Sequence, residues 1–386
     1  MRTAIKALAT AAAAALALAG GAQAQQGVTD TEVRIGSNGD LSGIFAPFNV
    51  QAIKAAQMEI DKVNAAGGIH GRKIKLIVED HGYQMPKAMA NFNKLLNSDK
   101  VFAMILNLGT PMNLAGLKLM TAKKVANISP LTAARQLLDP PIDYKYVGGS
   151  SYYDQMKAGV EYLAKEKGVK KLCGMYIPSD FGKDVIAGAK DKGAELGLTW
   201  AAETTHKPDE GDFVGALSKL REAGCDLIAT ALGVRQTIIA VATAKKLGWT
   251  DVTFLGSSAA YHEAIAQQPG GITDGYYAAA SWADYHPRMD NPVVKKWHDE
   301  FVARYNEEPG MAAILGYGAA ITLIRALEAA GPDLTPETFR KGMESLNFYD
   351  PIGDIQVTYG PNDHRGGDLI VISVVKDGAF HEVARR

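Results

Sequence analysis

Cysteine is scarce in this sequence, with two residues in a chain of 386. This excludes a small scaffold held together by disulfides, and a chain of this length can bury enough apolar surface without them. Cys173 is predicted in the middle of a strand (KKLCGMYI) and Cys225 at the start of another (GCDLIAT). Because their register looks offset, the pattern favours two buried thiols over a disulfide.

Excess charge of either sign is also lacking. Lys and Arg number 41 against 42 Asp and Glu, which leaves a net charge of -1. This balance gives no attraction for a polyanion, so we predict no nucleic-acid partner. The eight His are scattered, and none has ligand spacing with Cys, Asp or another His. The sequence therefore predicts no metal site.

Catalytic signatures are missing as well. There is no G-x-S-x-G elbow, no phosphate-binding loop and no helix with two zinc-binding His, and the string GYGAAI (316–321) lies in an apolar helix where glycines serve close packing. Carboxylate pairs such as Glu79 and Asp80 end a strand without a partner at a defined distance. We therefore predict a protein that is not an enzyme and has no cofactor.

The amino terminus carries an apolar run. Residues 1–24 carry Arg2 and Lys6, then a stretch of Ala and Leu, and end in Ala-Gln-Ala. This pattern predicts a secretory signal peptide cleaved near Ala24, and hence an exported, periplasmic protein. A membrane anchor is the alternative, but the stretch is short for a span and none follows downstream. No Cys near the cut offers attachment for a lipid.

Strand and helix patterns alternate along the rest of the chain. The strand EVRIGS (32–37) is followed by a helix that stops at Gly67-Gly68 and by the strand KIKLIVED (73–80). The same order restarts near residue 152. With 47% hydrophobic residues and too much length for one core, this predicts an α/β protein of two doubly wound parallel-sheet units.

Ligands of open parallel sheets bind beyond the carboxyl ends of the strands. Four loops lie at such ends, and each half contributes two of them, so the two halves could enclose one cleft. The loops are GSNGDLSGIFAPFN (36–49), LGTPMN (108–113), IPSDFGKD (177–184) and ALGVRQT (231–237).

The loop that begins at Leu108 resembles an anion site. Pro111 suits the first helical position, which would make Thr110 the N-cap and leave free amides for a carboxylate, while Gly109 lets a ligand approach the backbone. Thr132, in ISPLTAAR (128–135), could add a second hydroxyl. The alternative is that Thr110 only caps its own helix.

Aromatic residues in these loops could form the walls of the cleft. Phe48 and Phe181 come from opposite halves and could close on an apolar ligand body, or each could pack within its own half. Arg135 could pair with a second acidic group of a ligand, although an exposed Arg on a helix is the alternative. Trp282 is open to the same two interpretations.

Several motifs together resemble the type I periplasmic solute-binding proteins of ABC importers, in the branched-chain amino-acid (Leu/Ile/Val) binding family. They are DLSG (40–43), VNAAGGIHG (63–71), ISP (128–130), DFG (180–182), FLGS (254–257) and GYGAAITLIRALEAAG (316–331). The resemblance implies two Rossmann-like lobes joined by three segments, with 27–149 plus 278–352 in one lobe and 150–277 plus 353–386 in the other. It also implies lobes that close on a ligand, a monomer, and delivery to membrane permease subunits.

The resemblance also implies which residues bind the ligand. The family's carboxylate-binding serine matches Thr110, the hydroxyl and amide segment matches Leu131, Thr132 and Ala133, and the aromatic walls match Phe48 and Phe181. Where amino-acid receptors carry an acidic residue for the ligand ammonium, this chain has Ser258, and the family's tyrosine position is Gly233. The predicted ligand-binding residues are Phe48, Leu108, Gly109, Thr110, Leu131, Thr132, Ala133, Phe181, Gly233 and Ser258.

The missing acidic residue bears on the ligand. Burying an ammonium group without a counter-charge costs several kcal/mol, so we predict a carboxylate without an α-ammonium, either an aromatic acid or an aliphatic mono- or dicarboxylate. A receptor for branched-chain or other amino acids remains an alternative, as does a ligand-sensing receptor subunit. A secreted hydrolase is a more distant alternative.

Overall fold

Strands and helices alternate along the chain, and the computed structural model describes them over residues 25–386. The predicted signal peptide at 1–24 lies outside the described residues. The strands are β1 Glu32–Gly39, β2 Lys73–Asp80, β3 Ala103–Ile105, β4 Ala126–Ile128, β5 Lys145–Tyr146, β6 Lys171–Tyr176, β7 Thr199–Thr205, β8 Leu227–Ala231, β9 Thr253–Gly256, β10 Tyr276–Ala280, β11 Asn347–Asp350, β12 Ile355–Thr358, β13 Val371–Lys376 and β14 Ala379–Arg385.

Eleven α-helices lie between the strands in the described part of the chain. The α-helices are α1 Ala46–Ala65, α2 Met85–Asn93, α3 Thr110–Ala122, α4 Tyr152–Lys167, α5 Asp180–Glu195, α6 Val214–Glu222, α7 Val234–Lys246, α8 Glu263–Ala266, α9 Pro292–Tyr305, α10 Met311–Ala330 and α11 Pro336–Glu344. A π-helical turn, Lys94–Ser98, continues α2.

Two separate sheets form the cores of two lobes. The first has five parallel strands in the order β2-β1-β3-β4-β5. The second has the order β14-β13-β10-β9-β8-β6-β7, in which β6 to β10 are parallel, while β13 pairs antiparallel with β10 and β14 antiparallel with β13. The predicted α/β class with two parallel-sheet units is confirmed.

The chain passes between the cores of the two lobes three times, and two of these crossings come later in the sequence than the predicted bounds. Strand β10 extends to Ala280 within the second sheet, so the first lobe resumes after residue 280 and not at 278. The antiparallel hairpin β11–β12 packs into the first-lobe core through Phe348, Ile355 and Val357. The last crossing therefore follows the hairpin and does not lie at 352–353.

Helix α10 is the one helix of the described residues that is long and apolar enough to cross a membrane, judged by length and composition. Its apolar window is 67% buried inside the fold, where it packs along α1. A Cβ at Gly316 would lie 2.0 Å from the Ala52 carbonyl oxygen. The glycine thus serves close helix packing, as predicted from GYGAAI.

The prediction of two free thiols is wrong, because Cys173 and Cys225 form a disulfide with their Cα atoms 5.8 Å apart. Cys225 does not begin a strand. It lies in the turn before β8, and the carboxylate of the next residue, Asp226, accepts hydrogen bonds from the backbone N–H groups of Lys170 and Lys171. This folds the turn back against β6 and removes the offset expected from strand register.

Candidate functional site

The loop between β3 and α3 builds one end of the candidate site. Gly109 is the N-cap of α3 with φ of 97°, a conformation that L side chains rarely adopt, and Thr110 is the first helical residue. The prediction that Thr110 caps the helix is therefore wrong by one position. Because Gly109 and not Thr110 occupies the N-cap position, the Thr110 hydroxyl is free for another partner. Pro111 has no N–H, and the amides of the first turn lack acceptors within the helix.

Buried asparagines hold this loop in place. Asn107 accepts a hydrogen bond from the Asn38 N–H at 2.8 Å and donates to Asn127 at 2.9 Å. Asn127 in turn donates to Asn113 at 3.0 Å, and Asn113 donates to the Gly109 carbonyl at 2.9 Å. All four side chains are buried, so the network fixes the backbone below Thr110.

The imidazole of His81 supports the same loop from the side. Its Nδ1 accepts the Tyr83 N–H at 2.9 Å, so the proton must be on Nε2, which donates to the Leu108 carbonyl at 3.1 Å. Burial lowers the pKa of His81, which keeps the ring neutral and this tautomer in place.

Hydroxyl groups from three segments meet above the loop. The Thr110 and Thr132 Oγ1 atoms are 2.6 Å apart, and both side chains are buried. The Tyr152 hydroxyl adjoins Thr132 and the Ala133 N–H. Burial raises the pKa of Tyr152 to about 12, although the Ala133 N–H and the Thr132 hydroxyl act in the opposite direction. The cluster is thus a set of neutral donors at physiological pH.

A cavity extends from these hydroxyl groups between the lobes. Nine of the ten predicted ligand-binding residues line it: Phe48, Leu108, Gly109, Thr110, Leu131, Thr132, Ala133, Phe181 and Ser258. Gly233 does not line it, because α7 begins there opposite the first-lobe residue Ile44, whose Cβ lies 3.9 Å from the position of an added Cβ.

Aromatic rings from both lobes cover the cavity. Phe45 of the first lobe meets Phe181 of the second edge to face, with ring centroids 6.1 Å apart, and also packs on Tyr83 at 4.8 Å. Phe181 contacts Tyr152 at 5.2 Å. Sequence reasoning did not select Phe45, Tyr83 or Tyr152, although Phe45 lies three residues before Phe48 in the same predicted loop.

The sequence left two interpretations for each of Arg135 and Trp282, and the structure shows where both residues lie. Arg135 binds Asp184 of the second lobe, with Nε 2.8 Å from Oδ1, and its guanidinium stacks on Tyr153 at 3.9 Å. This ion pair joins the two lobes. Because Arg135 does not line the cavity, it is not placed to contact a ligand there. Trp282 does line the cavity, at the second crossing between the lobes.

The cavity continues beneath the three segments that cross between the lobes, which together are called the hinge. No sequence pattern indicated this part of the cavity. One wall is the α10 face that carries Ile314, Gly318 and Thr322, and another is the hairpin β11–β12 with Ile355 and Val357. All three crossing segments also contribute to the lining, through Gly148 and Gly149, Ser281 and Trp282, and Tyr359. This part of the cavity is mostly apolar.

Asp350, at the end of β11, is the one Asp, Glu, Lys, Arg or His among the residues that line the cavity. It is 3% exposed, and its Oδ1 accepts the N–H groups of Ile352 at 2.8 Å and Gly353 at 3.1 Å. Burial raises the pKa of Asp350 to about 6, while those two amides and the Arg288 guanidinium oppose the shift. Asp354 adds to the increase.

This raised pKa predicts a pH-dependent effect of Asp350→Asn on stability. Folding favours the protonated form, so the contribution of Asp350 is most favourable below pH 3.8 and is lost as the pH rises through about 6. That interval corresponds to at most about 3 kcal/mol. We expect the variant to gain up to this amount relative to the wild type between pH 4 and pH 7, measured by urea unfolding. A difference that stays constant with pH would contradict the buried carboxylate.

Comparison with known proteins places this geometry in a family. A family model described as periplasmic binding protein matches residues 32–379. The leucine-, isoleucine-, valine-, threonine- and alanine-binding protein of Pseudomonas aeruginosa is 22% identical over 355 residues, covering 91% of this chain and 92% of that protein.

Solved structures of similar proteins cover nearly the whole chain. A fatty acid ABC transporter substrate-binding protein from Thermomonospora curvata superposes with a TM-score of 0.85 and 28% identity, covering 94% of this chain and 93% of that one. A solute-binding protein of an ABC transporter from Rhodopseudomonas palustris BisB5, in complex with 3,4-dihydroxybenzoic acid, has a TM-score of 0.81 and 20% identity over 93% and 98% of the two chains. The chain belongs to the periplasmic binding protein family and has the type I fold of ABC transporter substrate-binding proteins.

Proposed function

We propose that the protein captures a monocarboxylic acid with an extended apolar body and no α-ammonium group, and delivers it to the permease of an ABC importer. The observation that carries this proposal is a single cavity with neutral hydroxyl and amide donors at one end and apolar walls along the rest. The protein is exported after cleavage near Ala24, acts as a monomer, and releases its ligand unchanged.

The donor cluster suits a carboxylate headgroup. The Thr110 and Thr132 hydroxyls, the Ala133 N–H and the start of α3 converge on one end of the cavity. Hydrogen bonds from neutral donors to a charged acceptor are about twice as strong as those between neutral groups. The partial positive charge of the helix N-terminus adds to this attraction.

The same end of the cavity is unsuited to an α-ammonium group. An α-ammonium is attached one carbon from the carboxylate, so it would lie beside the threonines. The residue there from the second lobe is Ser258, whose N–H donates to Gln155 Oε1 at 2.9 Å, and not an acidic side chain. Asp350 is instead placed at the hinge against Gly318 and Gly353.

A second carboxylate on the ligand is disfavoured for a related reason. No Lys or Arg lines the cavity within the described chain, and Arg135 is already paired with Asp184. A distal carboxylate would therefore meet apolar side chains or the like charge of Asp350. This narrows the proposal from mono- and dicarboxylates to monocarboxylates.

The length of the cavity supports an aliphatic body over a single aromatic ring. Beyond the ring pair of Phe45 and Phe181 it passes the hinge segments and reaches Ile314, Ile355 and Val357. The resemblance to the fatty acid transporter protein of T. curvata, at 28% identity, supports the same ligand class. Each buried CH₂ would contribute about 0.8 kcal/mol, so affinity should rise with chain length until the cavity is full.

Titration calorimetry on the purified mature chain tests this proposal. The ligands are hexanoate, octanoate, decanoate, benzoate, adipate and leucine. We expect heats of binding from the alkanoates that strengthen with chain length, weaker binding of benzoate, and little from adipate or leucine. A melting-temperature screen of the same compounds gives an independent readout, because a ligand of the folded form raises it.

Tight binding of leucine together with indifference to the alkanoates would overturn the proposal in favour of an amino-acid receptor. Tight binding of adipate would show that the cavity tolerates a second carboxylate and would reject the narrowing to monocarboxylates.

A further inference from the structure

Asp350 is a buried carboxylate that binding of a plain alkanoate would not use. One oxygen, Oδ1, is held by two backbone amides, but no described residue donates a hydrogen bond to the other, Oδ2. An acceptor in an apolar cavity without a partner is costly, since a buried charge needs hydrogen bonds or a counter-charge to offset its desolvation.

Two glycines, Gly318 and Gly353, lie next to the Asp350 Oδ2 atom. A Cβ at either Gly318 or Gly353 would lie 3.1 Å from Oδ2, closer than most real Cβ contacts. The two glycines therefore leave room beside the carboxylate for an atom that does not belong to this part of the chain.

A hydroxyl group of α10 lies on the same wall. Thr322 is one helical turn after Gly318, so both lie on the same face of α10, and both line the cavity. Thr322 is 3% exposed, and no side-chain hydrogen bond joins its hydroxyl to another described residue. A small polar group in this space would find an acceptor in Asp350 and a donor or acceptor in Thr322.

We infer that the ligand carries a hydroxyl group at the end opposite its carboxylate, and that Asp350 and Thr322 bind it at the hinge end of the cavity. This deepens the proposed function and rests on it, because the carboxylate must first be held at Thr110 and Thr132. The natural ligands would then be hydroxy acids with the two polar ends separated by an apolar body.

A hydroxyl fits this position better than an ammonium does. It can donate to Asp350 and accept from Thr322, whereas an ammonium can only donate. An ammonium would also have to be stripped of water in a mostly apolar cavity to reach a single carboxylate, and this desolvation can exceed the attraction of the pair.

The experiment compares matched acids on wild-type protein by calorimetry. Each alkanoate from about six to about twelve carbons is paired with its ω-hydroxy acid and its ω-amino acid, and benzoate is paired with 4-hydroxybenzoate. At the best-fitting length we expect the hydroxy acid to bind at least about 10-fold more tightly than its parent, as a hydrogen bond to a charged group should provide.

Two variants assign that preference to Asp350. Asp350→Asn keeps an oxygen for the Ile352 and Gly353 amides but loses the charge, so the hydroxyl preference should fall to about threefold or less. Gly318→Ala places a methyl group 3.1 Å from Oδ2 and should weaken binding of the hydroxy acid more than binding of its parent, so that the preference is lost. Gly215→Ala is the control, because Gly215 is also helical and its Cβ would meet nothing within 4 Å.

Each outcome has a separate meaning. Equal binding of hydroxy acids and their parents at every length, or a preference that both Asp350→Asn and Gly318→Ala leave intact, would overturn this inference while the carboxylate proposal stands. Preference for the ω-amino acids would replace the hydroxyl with an ammonium and so overturn it too. Failure of every acid to bind would overturn the proposed function itself.

Discussion

Valine at both Thr110 and Thr132 should lower the affinity for octanoate by about 100- to 10,000-fold. Each hydroxyl can donate to the carboxylate, and a hydrogen bond to a charged group contributes about 1.5–3 kcal/mol. Two of them lost together amount to about 3–6 kcal/mol, and every 1.4 kcal/mol is a factor of ten. Calorimetry with octanoate on the double variant and the wild type measures the change.

The double substitution is better than either single one. The two Oγ1 atoms are 2.6 Å apart, so a single valine would leave the other buried hydroxyl without its partner. Replacing both by side chains of the same shape is close to neutral for folding. Thr110→Ser with Thr132→Ser keeps both hydroxyls and is the matched control, expected to bind octanoate within about 10-fold of the wild type. Unchanged affinity in the valine variant would show that the headgroup binds elsewhere.

Serine at both Cys173 and Cys225 should destabilise the second lobe by about 4 kcal/mol. The disulfide closes a loop with a sequence separation of 52, and loss of that closure gives the unfolded chain about this much additional conformational free energy. The expected decrease in melting temperature is about 10 °C. Reduction of the wild type should reproduce it, which separates the effect of the bond from that of the serine side chains.

Ligand affinity should be nearly unchanged in the same variant, because neither cysteine lines the cavity. A melting temperature that neither reduction nor substitution alters would indicate that the cysteines are thiols in solution, as the sequence pattern favoured.

Periodicity and turn residues were enough to predict the α/β class and the two parallel-sheet units, because they report local structure, whereas the three connections between lobes were implied by the family resemblance. The strands around Ile35 and Ile77 and the helix stop at Gly67 could be predicted from apolar spacing and glycine alone. The disulfide was not predicted because the position of Cys225 depends on how Asp226 binds the backbone of β6. That contact joins residues more than 50 positions apart and leaves no local pattern.

The candidate site was also predicted only in part. Residues that follow the strands of one sheet could be predicted, whereas residues that depend on contacts distant in sequence could not. Gly109, Thr110 and Thr132 follow strands of one sheet, so their meeting could be expected from the rule for parallel sheets. Tyr152 and Asp350 could not be chosen in this way, because Tyr152 begins the helix after the first crossing and Asp350 ends β11 of the hairpin, so neither follows a strand of the parallel sheets. Gly233 was included through resemblance, yet the approach of Ile44 separates it from the cavity.

The cavity touches all three crossing segments, at Gly149, Ser281 and Tyr359. A ligand that fills this space therefore lies against the three segments that join the lobes. These segments would bend if the lobes open and close around the ligand. Chain length of the bound acid would then act as a spacer that sets how far the lobes can rotate toward each other. In the proposed function, the permease would then distinguish an acid of the right size from a short one by the angle between the lobes, without contacting the acid.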